Sequence, residues 1–234
     1  MAMAVSCEIN QYRMITLTRI RLHSTGDVLT RSCAMFDVRT KQWTRLPNLP
    51  DCDMDWGAMA NREYMYVIGG NNRTVSVKTV YRLSLNTYEW TIMAPMGTPR
   101  ELCAAALIGD YIYVFGGSDN IDPLSSADRY FIIDNIWEPL PSMLDSRDGH
   151  CGVALGSDIY ILGGDNARYL EVLNTLLQGW KRENLATMPI SRSYTATVAL
   201  KDRYLVVLSG EEESLRGDVA AHCFIYDCCL NCWS

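Results

Sequence analysis

From Asp110 the chain reads Tyr111-Ile112-Tyr113-Val114-Phe115-Gly116-Gly117. Tyr111, Tyr113 and Phe115 alternate with Ile112 and Val114, so both faces are apolar, as in a strand covered on each side. Two glycines end the run where the backbone must turn tightly or adopt a positive φ. The pattern recurs upstream as Tyr64-Met65-Tyr66-Val67-Ile68-Gly69-Gly70 and downstream as Ile159-Tyr160-Ile161-Leu162-Gly163-Gly164. A worn copy follows, Tyr204-Leu205-Val206-Val207-Leu208-Ser209-Gly210. The first glycines (69, 116, 163) are spaced by 47 residues, and Ser209 comes 46 after Gly163. Such a period implies stacked units, each needing its neighbours to bury its faces.

Each unit predicts three further strands. A short run of small residues precedes the aromatic strand: Gly57–Ala60, Cys103–Ala106, Cys151–Ala154 and Thr195–Val198. A third strand leads to a polar turn, and a tryptophan opens the fourth: Trp43, Trp90, Trp137, Trp180 and Trp233. Short strands separated by turns at this period predict an all-β propeller of four-stranded blades. Small residues suit the innermost strand, where blades crowd together, and tryptophan suits the outer one, where it covers blade packing. No helix is expected. The first 35 residues are the least legible, with strands predicted over Met3–Ile9 and Met14–Leu22 and His23-Ser24-Thr25-Gly26 where a glycine pair would fall.

These residues resemble Kelch repeats: an aromatic strand ending in Gly-Gly, a Tyr-Asp-type turn, Trp, a Pro-rich link and Arg. The resemblance covers roughly residues 36–234. Tyr226-Asp227 and Phe36-Asp37 fit the turn motif, Asn174 can cap the same turn, and Leu83-Ser84 and Tyr130-Phe131 depart from it. Arg100, Arg147 and Arg192 follow the links, with Asp53 in their place in the earlier repeat. Ser209 and Val206 mark a divergent last repeat. The resemblance implies one Kelch-type β-propeller domain over residues 1–234. About five repeats are visible; the first (1–35) is degenerate and the last incomplete. Because the sequence stops one residue after Trp233, the fifth blade is expected to lack a fourth strand. Either residues 3–22 pair with that blade, or the chain is a fragment of a longer protein whose open blade edge favours self-association. The BTB and BACK domains that usually precede such repeats in the family do not fall within these 234 residues.

Composition narrows the partners. A net charge of −6 and a pI near 5.1 argue against nucleic acid and against an anionic membrane surface. No run has the apolar length of a membrane-spanning helix, and residues 1–10 lack the basic start of a signal peptide. Nine cysteines form no ladder in step with the repeat, which reads as free thiols in a reducing, cytoplasmic setting. Cys229-x-x-Cys232, near Cys223 and Cys228, has metal-like spacing but is a single half-site. Three histidines (23, 150, 222) are too few for a copper centre, and no hydrolase, metalloprotease or phosphate-loop motif is present. Neither cofactor nor metal is expected, and no enzymatic activity.

Arg100, Arg147 and Arg192 could bind an acidic peptide, but their recurrence favours bonds to carbonyls of the adjoining blade. Residues that vary between repeats are better candidates. The resemblance implies one binding face, built from the loops after Gly-Gly and before the small strand. That face would carry Asp53, Asp55, Trp56, Asn71, Asn72, Arg73, Glu101, Asp119, Asn120, Asp148, Asp165, Asn166, Arg168, Tyr194 and Glu211. Trp56 and Tyr194 would be exposed aromatic anchors amid acidic and amide groups, a composition suited to a partner's peptide or loop. Family likeness extends this to the substrate-recognition part of a ubiquitin-ligase adaptor. The alternatives are a propeller enzyme of oxidase or sugar-epimerase type and an actin-associated scaffold.

Overall fold

A computed structural model describes residues 2–10, 13–20, 32–50, 55–164, 167–182, 184–208, 210–212 and 222–234. No helix occurs among them. The chain divides into two compact units, Met1–Glu101 and Leu102–Ser234.

The first unit holds two blades. Blade 1 comprises β1 (Ala2–Asn10), β2 (Arg13–Ile20), β3 (Ser32–Asp37) and β4 (Gln42–Leu46); blade 2 comprises β5 (Gly57–Ala60), β6 (Tyr64–Ile68), β7 (Val80–Ser84) and β8 (Trp90–Met93). The second unit holds three. Blade 3 is β9 (Ala104–Ile108), β10 (Tyr111–Phe115), β11 (Ala127–Phe131) and β12 (Ile136–Leu140). Blade 4 is β13 (His150–Leu155), β14 (Asp158–Gly163), β15 (Glu171–Asn174) and β16 (Gly179–Lys181). A short ribbon pairs β17 (Arg192–Ser193) with β20 (Glu211–Glu212), beside blade 5: β18 (Ala196–Leu200), β19 (Tyr204–Leu208), β21 (Phe224–Asp227) and β22 (Cys232–Trp233). Each blade is an antiparallel meander of four strands in chain order.

Two expectations are corrected here. Blade 5 does have a fourth strand, β22, although it is only two residues long. The amino-terminal strands do not complete blade 5. They pair with β3, Met14 opposite Phe36 and Leu17 opposite Cys33, and so build blade 1. The stretch His23-Ser24-Thr25-Gly26, where a glycine pair would fall, lies outside the described residues.

Alternation decides the packing, because a strand's successive side chains point to opposite faces. In blade 3 the small Ala106 lies opposite Tyr113, which lies opposite Arg129. Ala106, Tyr113 and Phe115 then meet Ile159, Ile161 and Leu173 of blade 4 in one buried cluster. Val153 and Leu162 of blade 4 meet Leu205, Val207 and Tyr226 of blade 5 in the same way. Cys33, Met35 and Leu46 of blade 1 meet Met65, Val67 and Leu83 of blade 2. The tryptophans fasten these contacts from the rim. Three indole N–H groups donate to a carbonyl in the link that precedes their own blade: Trp90 to Pro47 (3.2 Å), Trp180 to Pro141 (2.8 Å) and Trp233 to Ala186 (3.0 Å). The turns into the fourth strands are capped as expected. Asp37 Oδ1 accepts the N–H groups of Arg39 and Thr40, Asp227 Oδ1 those of Cys229 and Leu230, and Asn174 Oδ1 that of Leu177.

Candidate functional site

The loops of interest leave each blade after its glycine pair and enter the next after its arginine, and one junction holds both. The second glycine donates its N–H to the arginine carbonyl: Gly70 to Arg100 (2.7 Å), Gly117 to Arg147 (2.8 Å) and Gly164 to Arg192 (3.0 Å). The first glycine makes that approach possible. At Gly116 φ is +52°, and a Cβ there would stand 2.5 Å from the Arg147 carbonyl oxygen. The repeat motif is therefore a backbone-to-backbone contact that tolerates no side chain.

With the exit of the strand pinned, the following loops take matching shapes. Asn71 bridges Ser76, and Ser118 bridges Pro123. Arg73 and Asn120 are left-handed at φ 82° and 83°. Asn72 Oδ1 accepts the N–H groups of Thr74 and Val75, and Asp119 Oδ1 accepts those of Ile121 and Asp122. The N–H groups of Asp122 and Ile121 hold the Asp119 carboxyl below the usual carboxylate range. Asn72 and Asp119 thus shape their loops, and what they display is partly apolar: Val75 and Ile121 are exposed at the tips. Sequence reading missed both, although an apolar residue inside an Asx-capped polar loop is a usable signal. Asn71 Nδ2 donates to Glu101 Oε2, joining two predicted site residues. Asp53, Asp165 and Asn166 lie outside the described residues.

The link loops also repeat. Two residues beyond the arginine position, Asp55, Leu102, Gly149 and Tyr194 are all left-handed, at φ 59°, 53°, 59° and 54°. In the second unit these positions are chained by backbone bonds: Tyr194 N–H donates to Gly149 O (2.7 Å) and Gly149 N–H to Leu102 O (3.1 Å). The Tyr194 ring lies over Gly149, where an added Cβ would meet it at 3.3 Å, and the residue remains 40% exposed. Asp148 precedes that glycine, and Glu211 pairs with Ser193, so backbone structure gathers Asp148, Tyr194 and Glu211. Arg168 is exposed, with its Nε donating to Met188 O.

Trp56 must be corrected. It occupies the position after the left-handed residue, where Cys103 and His150 are buried, and it too is buried. It packs into the cluster of Met35, Leu49 and Met65 and is no exposed anchor. Trp56→Ala should therefore destabilise the fold by about 3–5 kcal/mol. Trp56→Phe should cost far less, because the indole Nε1 has no hydrogen-bond partner among the described residues. Denaturant unfolding of both variants checks the pair of values.

The arginines are structural. Arg147 is buried and donates from Nη1 to Gly163 O (3.2 Å) and Tyr169 O (2.8 Å), and from Nη2 to the fully buried Glu171 (2.8 Å). Glu171 also accepts the N–H groups of Leu144 and Asp145. Arg192 solves the same problem differently. It donates to His222 O (2.5 Å) and its guanidinium lies 4.5 Å over the Phe224 ring, at the register position that Glu171 holds in blade 4.

The glycine–carbonyl junction, the rim tryptophans and the four-stranded meanders coincide with a family-scale match. The KLHDC2/KLHL20/DRC7 Kelch-repeats domain matches residues 22–210. The chain belongs to the Kelch-repeat family. It is also similar to Kelch-like protein terF of Aspergillus terreus (strain NIH 2624 / FGSC A1156), 37% identical over 78 residues. That alignment spans 32% of this chain and 17% of the fungal protein.

In this Kelch chain Cys229 and Cys232 are exposed on the last hairpin turn, which Asp227 shapes. Burial pushes the Cys228 thiol up, against a hydrogen bond with Tyr160. Among the described residues no three His, Cys, Asp or Glu side chains converge where a metal could sit.

Proposed function

We propose that these Kelch blades form a protein-interaction module that captures a peptide or loop of a partner, as the substrate-recognition part of an assembly of the ubiquitin-ligase adaptor kind. The observation that carries this reading is Tyr194. Its backbone is held left-handed by the bond to Gly149 O, and its ring rests on a glycine while staying 40% exposed. An aromatic fixed before binding loses little freedom on contact, which is what makes tyrosine a strong anchor. Asp148 and Glu211 flank it with negative charge, and Ile121 adds an exposed apolar tip elsewhere in the same unit. The favoured partner segment carries a basic or hydroxyl-bearing residue beside an apolar one.

Affinity capture followed by mass spectrometry tests this, comparing the wild-type chain with Tyr194→Ala. The variant should lose on the order of 2 kcal/mol of affinity, roughly 30-fold, for whatever the wild type retains. Its thermal midpoint should stay close to wild type. Binding should also weaken with added salt, since exposed charges are screened beyond about 8 Å at physiological ionic strength. Capture that survives Tyr194→Ala intact would remove the reading. Retention of the partner without ubiquitin-ligase components would remove only its adaptor part.

A further inference from the structure

Inside the second unit the buried Arg147–Glu171 pair holds two exposed stretches of chain. Arg147 Nη1 donates to Tyr169 O (2.8 Å), which fixes the loop between β14 and β15. Glu171 Oε2 accepts the N–H of Leu144 (2.7 Å), which fixes the link between blades 3 and 4. On those fixed backbones the side chains stand in water: Tyr169 is 54% and Leu144 53% exposed. The repeat requires neither residue. Counted back three from each arginine, Leu144 takes the place of Gly97 and Pro189. His222, whose carbonyl accepts from Arg192 as that of Tyr169 does from Arg147, takes the place of Tyr169 in blade 5.

Arg182, which follows β16, joins the two stretches into one surface. Its guanidinium lies 5.5 Å from the centroid of the Tyr169 ring, and Nη1 donates to Asp145 Oδ2 beside Leu144. The Asp145 N–H is itself held by Glu171. Among the described residues the bond to Asp145 is the only hydrogen bond the Arg182 side chain makes. Nε and Nη2, the two nitrogens of its side-on fork, therefore meet no acceptor there. A guanidinium laid on an aromatic ring and fixed at one nitrogen is set to receive a carboxylate by two parallel bonds. Arg168, next to Tyr169, is exposed as well. The surface thus carries two cations to one carboxylate, on a chain of net charge −6.

We propose that Leu144, Tyr169 and Arg182 form a second docking surface, which takes an acidic and apolar peptide segment of a partner protein. An Asp or Glu side chain of the segment accepts the two N–H groups of the Arg182 fork, and a neighbouring apolar side chain covers Leu144 and Tyr169. Charge selects this occupant, since a basic segment would meet Arg168 and Arg182 as like charges. The surface is arranged before contact. Buried groups hold the backbones of Leu144 and Tyr169, and Asp145 holds Arg182, so little freedom is lost on binding. Tyrosine and arginine are also the residue types that dominate such contacts. The proposal does not rest on the Tyr194 reading, because it shares none of that site's residues and takes a segment of the opposite charge.

A phage-displayed library of random dodecapeptides tests it, fused through their C-termini so that side chains supply the only carboxylates. The library is depleted on the double variant Tyr169→Ala with Arg182→Gln and then selected on the full wild-type chain. Thermal midpoints of the variants should stay near wild type; Leu144→Ser replaces the double variant should that one unfold. Enriched peptides should carry Asp or Glu close to a large apolar residue. An amidated synthetic copy, followed by fluorescence anisotropy, should bind at least about tenfold more weakly to Tyr169→Ala and to Arg182→Gln. Arg182→Lys, which keeps the charge without the fork, should also weaken it. Tyr194→Ala should leave the affinity unchanged. No enrichment, or enrichment of basic or uncharged sequences, overturns the proposal. So does a peptide whose binding needs Tyr194 and not Tyr169. Concentration-dependent association of the wild type that the double variant abolishes overturns it too, because the occupant is then a second copy of this chain.

Discussion

Gly116→Val should be among the most damaging single substitutions in the second unit, costing about 3 kcal/mol or more. Three effects add. Valine is held at φ +52°, a conformation that a β-branched residue strongly disfavours. Its Cβ would stand 2.5 Å from the Arg147 carbonyl oxygen and 2.8 Å from carbons of His150 and Met143, and only the methionine end is free to move. Pushing Arg147 away also breaks the bond from Gly117 N–H, worth about 1 kcal/mol. A paired control separates strain from collision. Gly109 has nearly the same φ, +57°, but an added Cβ there meets nothing within 4 Å. Gly109→Ala should cost only the strain, about 1–2 kcal/mol, and Gly116→Ala clearly more. Equal losses from the two alanines in denaturant unfolding would sink the account of a side-chain-intolerant junction.

Glu171→Ala should cost about 3–5 kcal/mol by leaving Arg147 charged, buried and short of its carboxylate. The loss extends beyond the pair, since Leu144 and Asp145 N–H groups also lose their acceptor. Replacing both partners, Arg147→Met with Glu171→Leu, should recover most of the stability, because an apolar pair of similar volume incurs no desolvation cost for charge. The Arg192–Phe224 arrangement in blade 5 already shows that this register position accepts an apolar ring. A double variant as unstable as the single one would mean that the carboxylate is needed chiefly for the two N–H groups.

Much of the architecture was legible because it is written in short-range, periodic terms. Alternation over Tyr111–Phe115, a glycine pair every 47 residues, and Asp or Asn at positions 37, 174 and 227 each act within a few bonds of where they stand. The candidate site was legible in its loops and less so in its side chains. Tyr194 is exposed as expected, whereas Trp56 is buried, although both follow from one loop shape. They sit one residue apart in the repeat: position 194 is the left-handed residue that leans outward over Gly149, and position 56 the next one, which turns inward. Loop polarity does not reveal that offset. Asn72 and Asp119 likewise read as display groups until their oxygens are found shaping the loop itself.

By itself the sequence determined the blade unit, its period, its innermost and rim strands and the places where no side chain can be tolerated, since propensity, alternation and turn chemistry are local properties. Only tertiary structure decided which face of each blade is covered, that Arg147 meets a carboxylate where Arg192 meets a ring, and that Leu144 and Tyr169 stand exposed on backbones which that buried pair holds. Those outcomes depend on residues dozens of positions away brought alongside by neighbouring blades. A strand's own pattern says that it has an apolar face, and only the neighbour says whether that face meets protein or water.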